Sequence, residues 1–154
     1  MTLKTFLTVL LLGAASAAAS QDTAAPDTDP VFGQVEVRDL DQFKWTHRPV
    51  VVFADSPFDP AFTEQMELLR ARPEALAERD VVVLVDTDPS EASALRQALR
   101  PRGFMMVLIG KDGGVKLRKP SPWDVREISR SIDKMPMRQQ EIRRAKEAAA
   151  GADG

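Results

Sequence analysis

Four apolar runs predict the strands of a β-sheet. Residues 49–54 and 80–86 read PVVVFA and DVVVLVD, and continuous β-branched runs of this kind are typical of strands buried on both faces. A third strand is predicted over residues 104–109. In residues 114–118, Val115 and Leu117 alternate with basic residues, as in an edge strand with one solvated face. The Asp-Gly pair between the last two runs predicts a hairpin turn.

Proline after a capping residue marks the start of three helices. Asp59-Pro60, Asp88-Pro89 and Ser121-Pro122 each place an N-cap acceptor before a proline at the first helical position. Pro136 should end or kink the third helix, and residues 137–150 can then form a further polar helix. The third helix carries an apolar stripe that would lie on the sheet, formed by Val125, Ile128, Ile132 and Met135.

The order of these elements predicts the fold class. A short strand at residues 35–37 and a helical turn at residues 39–45 precede the longer elements, which gives the order β, short α, β, α, β, α, β, β, α. The first two long strands should be parallel because a helix separates them, whereas the closing hairpin must be antiparallel. The prediction is therefore an α/β fold, a thioredoxin-like mixed sheet with helices on both faces. A flavodoxin-like sheet fits less well because the hairpin cannot make a parallel connection.

The amino-terminal end has the pattern of an export signal. Residues 1–20 contain Lys4, a short apolar core and a small-residue cleavage site near Ala19-Ser20 or Ser20-Gln21. Residues 21–33 should be a disordered linker, residues 34–144 the folded domain and residues 145–154 a flexible tail. The apolar run is short for a membrane anchor, which is the competing interpretation. We therefore expect a periplasmic or secreted protein without an anchor after cleavage.

Composition excludes several function classes. Removal of residues 1–20 takes away Lys4 and no acid, which leaves 20 bases against 23 acids and a formal charge of −3. This mild acidity argues against a nucleic-acid partner, which requires a concentrated basic face. The chain has no cysteine, so thiol-disulfide exchange and peroxiredoxin chemistry are excluded for this chain by itself. We expect no cofactor.

The segment after the first long strand is the place where a thioredoxin carries its redox pair. Here it offers Asp55, Ser56 and Asp59 and no sulfur, and Met105 stands where the thioredoxin pattern has a cis-proline. A non-thiol enzyme using Asp55, Ser56 and nearby arginines is one alternative function. The only histidine, His47, lies near the opposite end of that strand, so it is poorly placed as a base for Ser56. A zinc or iron site is also disfavoured because such sites need several nitrogen or sulfur ligands.

The methionines provide a second alternative. Met135 and Met137 form a Met-x-Met pair, and thioethers suit copper(I). The competing interpretation is packing, in which Met105 and Met106 alternate into the two sides of the sheet and Met135 continues the helix stripe. We favour packing and predict no metal site.

Charged residues around the hairpin and the third helix are either a solvated surface or an anion or peptide site. In the second case Arg118 and Arg138 would converge, and Asp133 would orient one of them as a bidentate partner. The candidate binding surface predicted from the sequence consists of Arg48, Asp55, Ser56, Lys111, Asp112, Arg118, Asp133 and Arg138.

Several motifs together resemble a known family. They are Trp45 with Arg48-Pro49, Arg79-Asp80 before a strand, residues 110–118 (GKDGGVKLR), and residues 132–138 (IDKMPMR) followed by Glu141. The chain resembles the family called domain of unknown function 4174, small exported bacterial proteins related to the terminal domains of animal extracellular proteins with sushi repeats. The resemblance implies a thioredoxin-like fold and supplies no activity or active site.

The function expected from these observations is that of a binding module. A thioredoxin-like fold leaves a groove beside the first helix start and the hairpin entry, where an extended peptide can dock. The partner expected is an envelope protein or peptide, and the sequence leaves the oligomeric state open.

Overall fold

The predicted strands form one mixed sheet in the computed structural model, which describes residues 31–32 and 37–152. Within that part of the chain the strand order is β2-β1-β3-β4. Strands β1 and β2 are parallel, and β3 is antiparallel to both β1 and β4. The strands are β1 (Arg48–Phe53), β2 (Val81–Asp86), β3 (Met105–Ile109) and β4 (Val115–Lys119).

The hairpin between β3 and β4 confirms the turn predicted from Asp-Gly. The backbone N–H of Gly110 donates to the carbonyl of Gly114 at 2.9 Å. Gly113 has a φ of +80°, a conformation that a side chain would strain. Strand β4 is an edge strand, in which Leu117 is half-buried between the exposed Lys116 and Arg118 as predicted, whereas Val115 is exposed.

Helices cover both faces of the sheet, as the fold prediction requires. The side of the sheet that we call the α4 face carries α1, α2 and α4, and the opposite α3 face carries α3 together with a 3-10 turn, Leu40–Phe43. The helices are α1 (Pro60–Arg70), α2 (Pro73–Ala77), α3 (Ala94–Leu99), α4 (Val125–Asp133) and α5 (Pro136–Ala152).

Strand β1 separates two apolar cores. All six of its residues are buried; Val50 and Val52 belong to the core on the α4 face, and Val51 and Phe53 to the core on the α3 face. The predicted alternation of the strand methionines is also confirmed, because Met106 packs into the first core and Met105 against the second.

Two of the three predicted helix starts are wrong. Asp59 caps α1 as expected, but Asp88 caps only a 3-10 turn, and α3 begins five residues later with Ser93 as its N-cap. Asp124, not Ser121, caps α4. The cause at α4 is a tertiary contact, because the side chain of Gln65 bonds the backbone N–H and carbonyl of Trp123 and holds that residue outside the helix. The sequence analysis also did not predict α2.

The structure can be compared with the predictions for the carboxyl-terminal end of the chain, but with few of those for the amino-terminal end. The predicted signal, most of the linker and residues 35 and 36 of the short strand lie outside the described residues. The predicted polar helix after Pro136 is confirmed as α5, which begins at Pro136 and runs to Ala152 with residues 143–152 exposed. Among the helices of residues 37–152, none combines the length and the apolar character of a membrane span.

Candidate functional site

The predicted surface residues divide between the two ends of the sheet. Arg48 begins β1 and Lys111 follows β3, so both lie at the end of the sheet where the parallel strands start. The α4–α5 segment brings Asp133 and Arg138 to this end through their shared ion pairs. Asp55 and Ser56 follow β1 and therefore lie at the opposite end.

Glu141 of α5 is the centre of an ion-pair network at the first end. Its Oε1 accepts a hydrogen bond from Arg48 Nη2 at 3.0 Å and lies 2.8 Å from Lys111 Nζ. Its Oε2 accepts from Arg138 Nη1 at 3.4 Å. These contacts join the start of β1, the hairpin and α5.

A second carboxylate extends the network toward α2. Asp133 accepts a bidentate pair from Arg79, at 2.9 Å to Nε and 2.8 Å to Nη2. Arg138 lies 3.5 Å from Asp133 and also donates to Glu78 at 3.2 Å. Asp80 completes the set by accepting from Lys111 at 2.7 Å. Four cations and four carboxylates therefore meet here, and their formal charges cancel.

The network lowers the pKa of two of its carboxyl groups. Burial raises the pKa of Glu141, but the hydrogen bonds and charges of Lys111 and Arg48 outweigh burial and lower it to about 2. The hydrogen bonds from Arg79 lower the pKa of Asp133, and the same contact raises the pKa of Arg79. At neutral pH each of these groups is charged, as a network of opposite charges favours.

Arg48 is the most buried member of the network. Its side chain is 1% exposed, and a buried cation is tolerated only when it is paired. Nη1 donates to the carbonyl of Arg79 at 2.9 Å, and Nη2 is bound to Glu141. Nε has no hydrogen-bond partner among the residues described.

A cavity of about 250 Å³ lies beside the network. Met135, Pro136 and Met137 of the α4–α5 junction form an apolar wall. Arg48 and Lys111, with Asp112 and Lys116 of the hairpin, line the rest. Five of the eight residues predicted from sequence therefore belong to this cavity or to the adjacent network: Arg48, Lys111, Asp112, Asp133 and Arg138.

The polar side chains of Ser56 and Asp59, in the segment after β1, stabilise a turn and the start of α1. Ser56 Oγ accepts the backbone N–H of Phe58 at 3.1 Å, and Asp59 accepts the N–H groups that begin α1. His47 precedes β1 and contacts Thr46, so it lies at the opposite end from Ser56. A nucleophile with an adjacent base is therefore not assembled at Ser56. Phe58 is 89% exposed on this loop.

Three arginines lie on β4 and on the adjacent loop between α3 and β3. The guanidinium of Arg118 on β4 donates to the carbonyl of Leu99 at 2.7 Å and lies 3.7 Å from the sulfur of Met105. It therefore bridges both ends of the loop that carries Arg100 and Arg102, which are exposed. We call Arg100, Arg102 and Arg118 the basic corner.

The expected convergence of Arg118 with Arg138 is not found. Arg118 lies opposite Val107, whose side chain packs in the core on the α3 face, and residues opposite each other on paired strands share a face. Arg138 is held by Glu78 and Glu141 at the other end. Asp133 forms its bidentate pair with Arg79, which was not among the candidate surface residues, and it also lies 3.5 Å from Arg138.

The candidate surface predicted from the sequence left out four network residues: Glu78, Arg79, Asp80 and Glu141, of which the last three belong to the motifs of the family resemblance. One signal could have found two of them. Arg79 and Asp80 directly precede β2, and Arg48 begins the parallel strand β1 in register with Val81, so the three must lie at the same end of the sheet. Glu141 has no such signal from strand topology, because it is 93 residues from Arg48, and only the family motif includes it.

Comparison with protein families identifies the chain. The model of a family described as "Domain of unknown function (DUF4174)" matches residues 39–141, so the chain belongs to that family and the resemblance drawn from sequence is confirmed. Among curated proteins, Coiled-coil domain-containing protein 80 of Danio rerio is 31% identical over 133 aligned residues. That alignment covers 67% of this chain but 15% of the relative.

Comparison with solved structures shows the fold alone. Prx1a of Plasmodium yoelii superposes with a TM-score of 0.50 at 17% identity, covering 66% of this chain and 80% of that one. The mitochondrial 2-cys peroxiredoxin of Plasmodium falciparum has 18% identity and a TM-score of 0.44, covering 66% and 82%. The fold is thioredoxin-like, as predicted, and the chain has no cysteine.

Proposed function

We propose that this DUF4174 protein is an exported, non-redox module that binds an extended acidic segment of another polypeptide. The observation that carries the proposal is the basic corner, where Arg118 of the edge strand β4 contacts both ends of the loop that carries Arg100 and Arg102. The corner is also near the hairpin entry, where the fold leads us to expect a peptide groove.

The charge inventory supports this position. At the network end each of the four cations contacts at least one carboxylate within 4 Å. In the basic corner, no carboxylate of residues 31–32 and 37–152 lies within 4 Å of any of the three arginines. An unneutralised cluster in a chain of net negative charge produces a local positive potential, which attracts an acidic partner.

The sheet edge supports an extended partner. Strand β4 pairs only with β3 in the described part of the chain, so its outer N–H and C=O groups are available. An added strand would satisfy these groups and place alternate side chains beside the basic ones. Basic residues on an edge strand also protect a sheet from aggregation, and that role alone would give no saturable binding.

The experiment measures binding of the mature protein to a fluorescent peptide in which glutamate and valine alternate. We expect saturable binding that weakens as salt is added, and little binding of the matched peptide with lysine in place of glutamate. Arg102→Glu should weaken binding about tenfold or more, because it replaces an attraction by a repulsion.

Arg143→Glu is the matched control. It makes the same charge change on the exposed part of α5, a helix whose first turns are held at the other end of the sheet, and it should leave the affinity within about twofold. Melting curves of both variants separate loss of binding from loss of folding. Equal affinities for the two peptides, or equal effects of the two variants, would refute the proposal.

Export is a separate part of the proposal and is supported by the pattern of residues 1–20. The test is intact-mass analysis of the protein recovered from the envelope fraction of a bacterial host. We expect a mature chain beginning at Ser20 or Gln21. Recovery of only the full-length chain in the cytoplasm would contradict export.

A further inference from the structure

We infer that the cavity beside the ion-pair network is a binding site for a small carboxylic acid with an apolar body. The site is separate from the basic corner, so its test is independent of peptide binding. With a volume of about 250 Å³ it lies below the range typical of drug-sized ligands and suits a ligand of a few carbon atoms.

The wall of the cavity favours an apolar body. Met135, Pro136 and Met137 line one side, and thioether side chains adapt to the shape of an apolar ligand. The side is held in place from both directions. Asp133 before it is bound to Arg79, and Glu141 after it is bound to Arg48 and Lys111.

Two lysines that line the cavity retain N–H donors that no acceptor of the described residues uses. An ammonium group has three N–H donors. Lys111 contacts two carboxylates and Lys116 contacts one, Asp112, at 2.6 Å. Asp112 in turn accepts from Lys116 and from the backbone N–H of Gly114, and these bonds lower its pKa. Lys111 therefore retains one N–H donor and Lys116 two.

Arg48 adds a buried cation beside these donors. It lines the cavity, but its side chain is almost fully buried, and its Nη1 and Nη2 are bound to the carbonyl of Arg79 and to Glu141. Its Nε has no hydrogen-bond partner in the described structure, but that atom is itself buried, so the donors open to a ligand are those of the two lysines. A ligand that brings an acceptor into a donor-rich site matches this inventory, and a carboxylate is the acceptor that lysine and arginine bind best.

The neutral network limits the affinity. Arg48 and Lys111 are already paired with Glu141 and Asp80, and Lys116 is paired with Asp112. Because no net positive charge is left over, binding depends on the apolar contacts and the remaining donors. We expect a dissociation constant on the order of a millimolar for a fragment-sized acid.

The test uses NMR spectra of the mature protein with ¹³C-labelled methionine methyl groups, titrated with hexanoate. The methyl signals of Met135 and Met137 should shift saturably, whereas those of Met66, Met105 and Met106 should not, since none of these three lines the cavity. 1-Hexanol has the same apolar body without the carboxylate, and it should bind at least about tenfold more weakly.

Two variants complete the experiment. Met137→Trp should fill the cavity and abolish the shift of Met135, and Met105→Leu, at the other end of the sheet, should leave it unchanged. Absence of saturable shifts, equal binding of hexanoate and hexanol, or undiminished binding by Met137→Trp would each overturn the inference. Melting curves of the variants show that each one is folded.

Discussion

Neutralising Glu141 should expose the energetic role of the ion-pair network. The ordinary pKa of a glutamate is 4.5, and in the folded chain the pKa of Glu141 is about 2. The difference corresponds to about 3 kcal/mol of stability at neutral pH. Because its side chain is only 24% exposed, solvent screens this contribution partly, and the figure is an upper value. We expect Glu141→Gln to lower the free energy of unfolding by about 2 kcal/mol at pH 7.

The stabilisation by Glu141 should decrease as the pH falls. The unfolded chain takes up a proton on Glu141 near pH 4.5, whereas the folded chain keeps the carboxylate until about pH 2. The stabilisation is therefore complete above about pH 5 and is lost as the pH falls from there toward 2. The difference in stability between the wild type and Glu141→Gln should decrease over the same interval.

Urea denaturation followed by circular dichroism at several pH values measures both effects. Glu147→Gln is the control, because Glu147 is exposed farther along the same helix. It should change stability by less than about 0.5 kcal/mol at every pH. A pH-independent difference for Glu141→Gln, or one no larger than that of the control, would show that the network does not hold Glu141 as the structure indicates.

Three further predictions concern other parts of the chain. Gln65→Leu should cost about 3 kcal/mol in urea denaturation, because it leaves the N–H and carbonyl of Trp123 without their partner; wild-type stability would contradict this. Asp59→Ala should cost about 1 kcal/mol by removing the cap of α1, and an unchanged midpoint would show that the cap is dispensable. In copper(I) competition with a chelator, the wild type should perform no better than a Met135→Leu/Met137→Leu double variant, because two thioethers have no supporting histidine or carboxylate cluster in the described residues. A clear advantage of the wild type would revive the copper alternative.

The fold was predictable where local pattern and tertiary environment agree. The valine-rich runs became β1 and β2 because strands buried on both faces need continuous apolar sequence; β1 is buried throughout, and β2 is buried over its first four residues. The start of α4 was not predictable, since it depends on hydrogen bonds between Gln65 and Trp123 across 58 residues. A proline at the first helical position marks a possible start, and tertiary contacts decide whether the chain uses it.

The candidate site shows the same limit more strongly. The sequence indicates Arg48, Lys111, Asp133 and Arg138 as charged residues near strand and helix ends. The only partners it suggested were Arg118 or Arg138 for Asp133, whose bidentate partner in the structure is Arg79. Glu141 unites three of these cations only because α5 returns to the start of β1. Charge complementarity across such separations is a property of the folded chain and leaves no local pattern in the sequence.

Hydrogen–deuterium exchange along β4 tests the central claim most directly. The backbone amides of Val115–Lys119 that face away from β3 are compared in the free mature protein and in the protein saturated with the glutamate–valine peptide. The account predicts slower exchange at these edge amides, with the network end of the sheet unchanged. Unchanged exchange along β4, or protection confined to another element, would contradict recognition of an acidic strand at this edge.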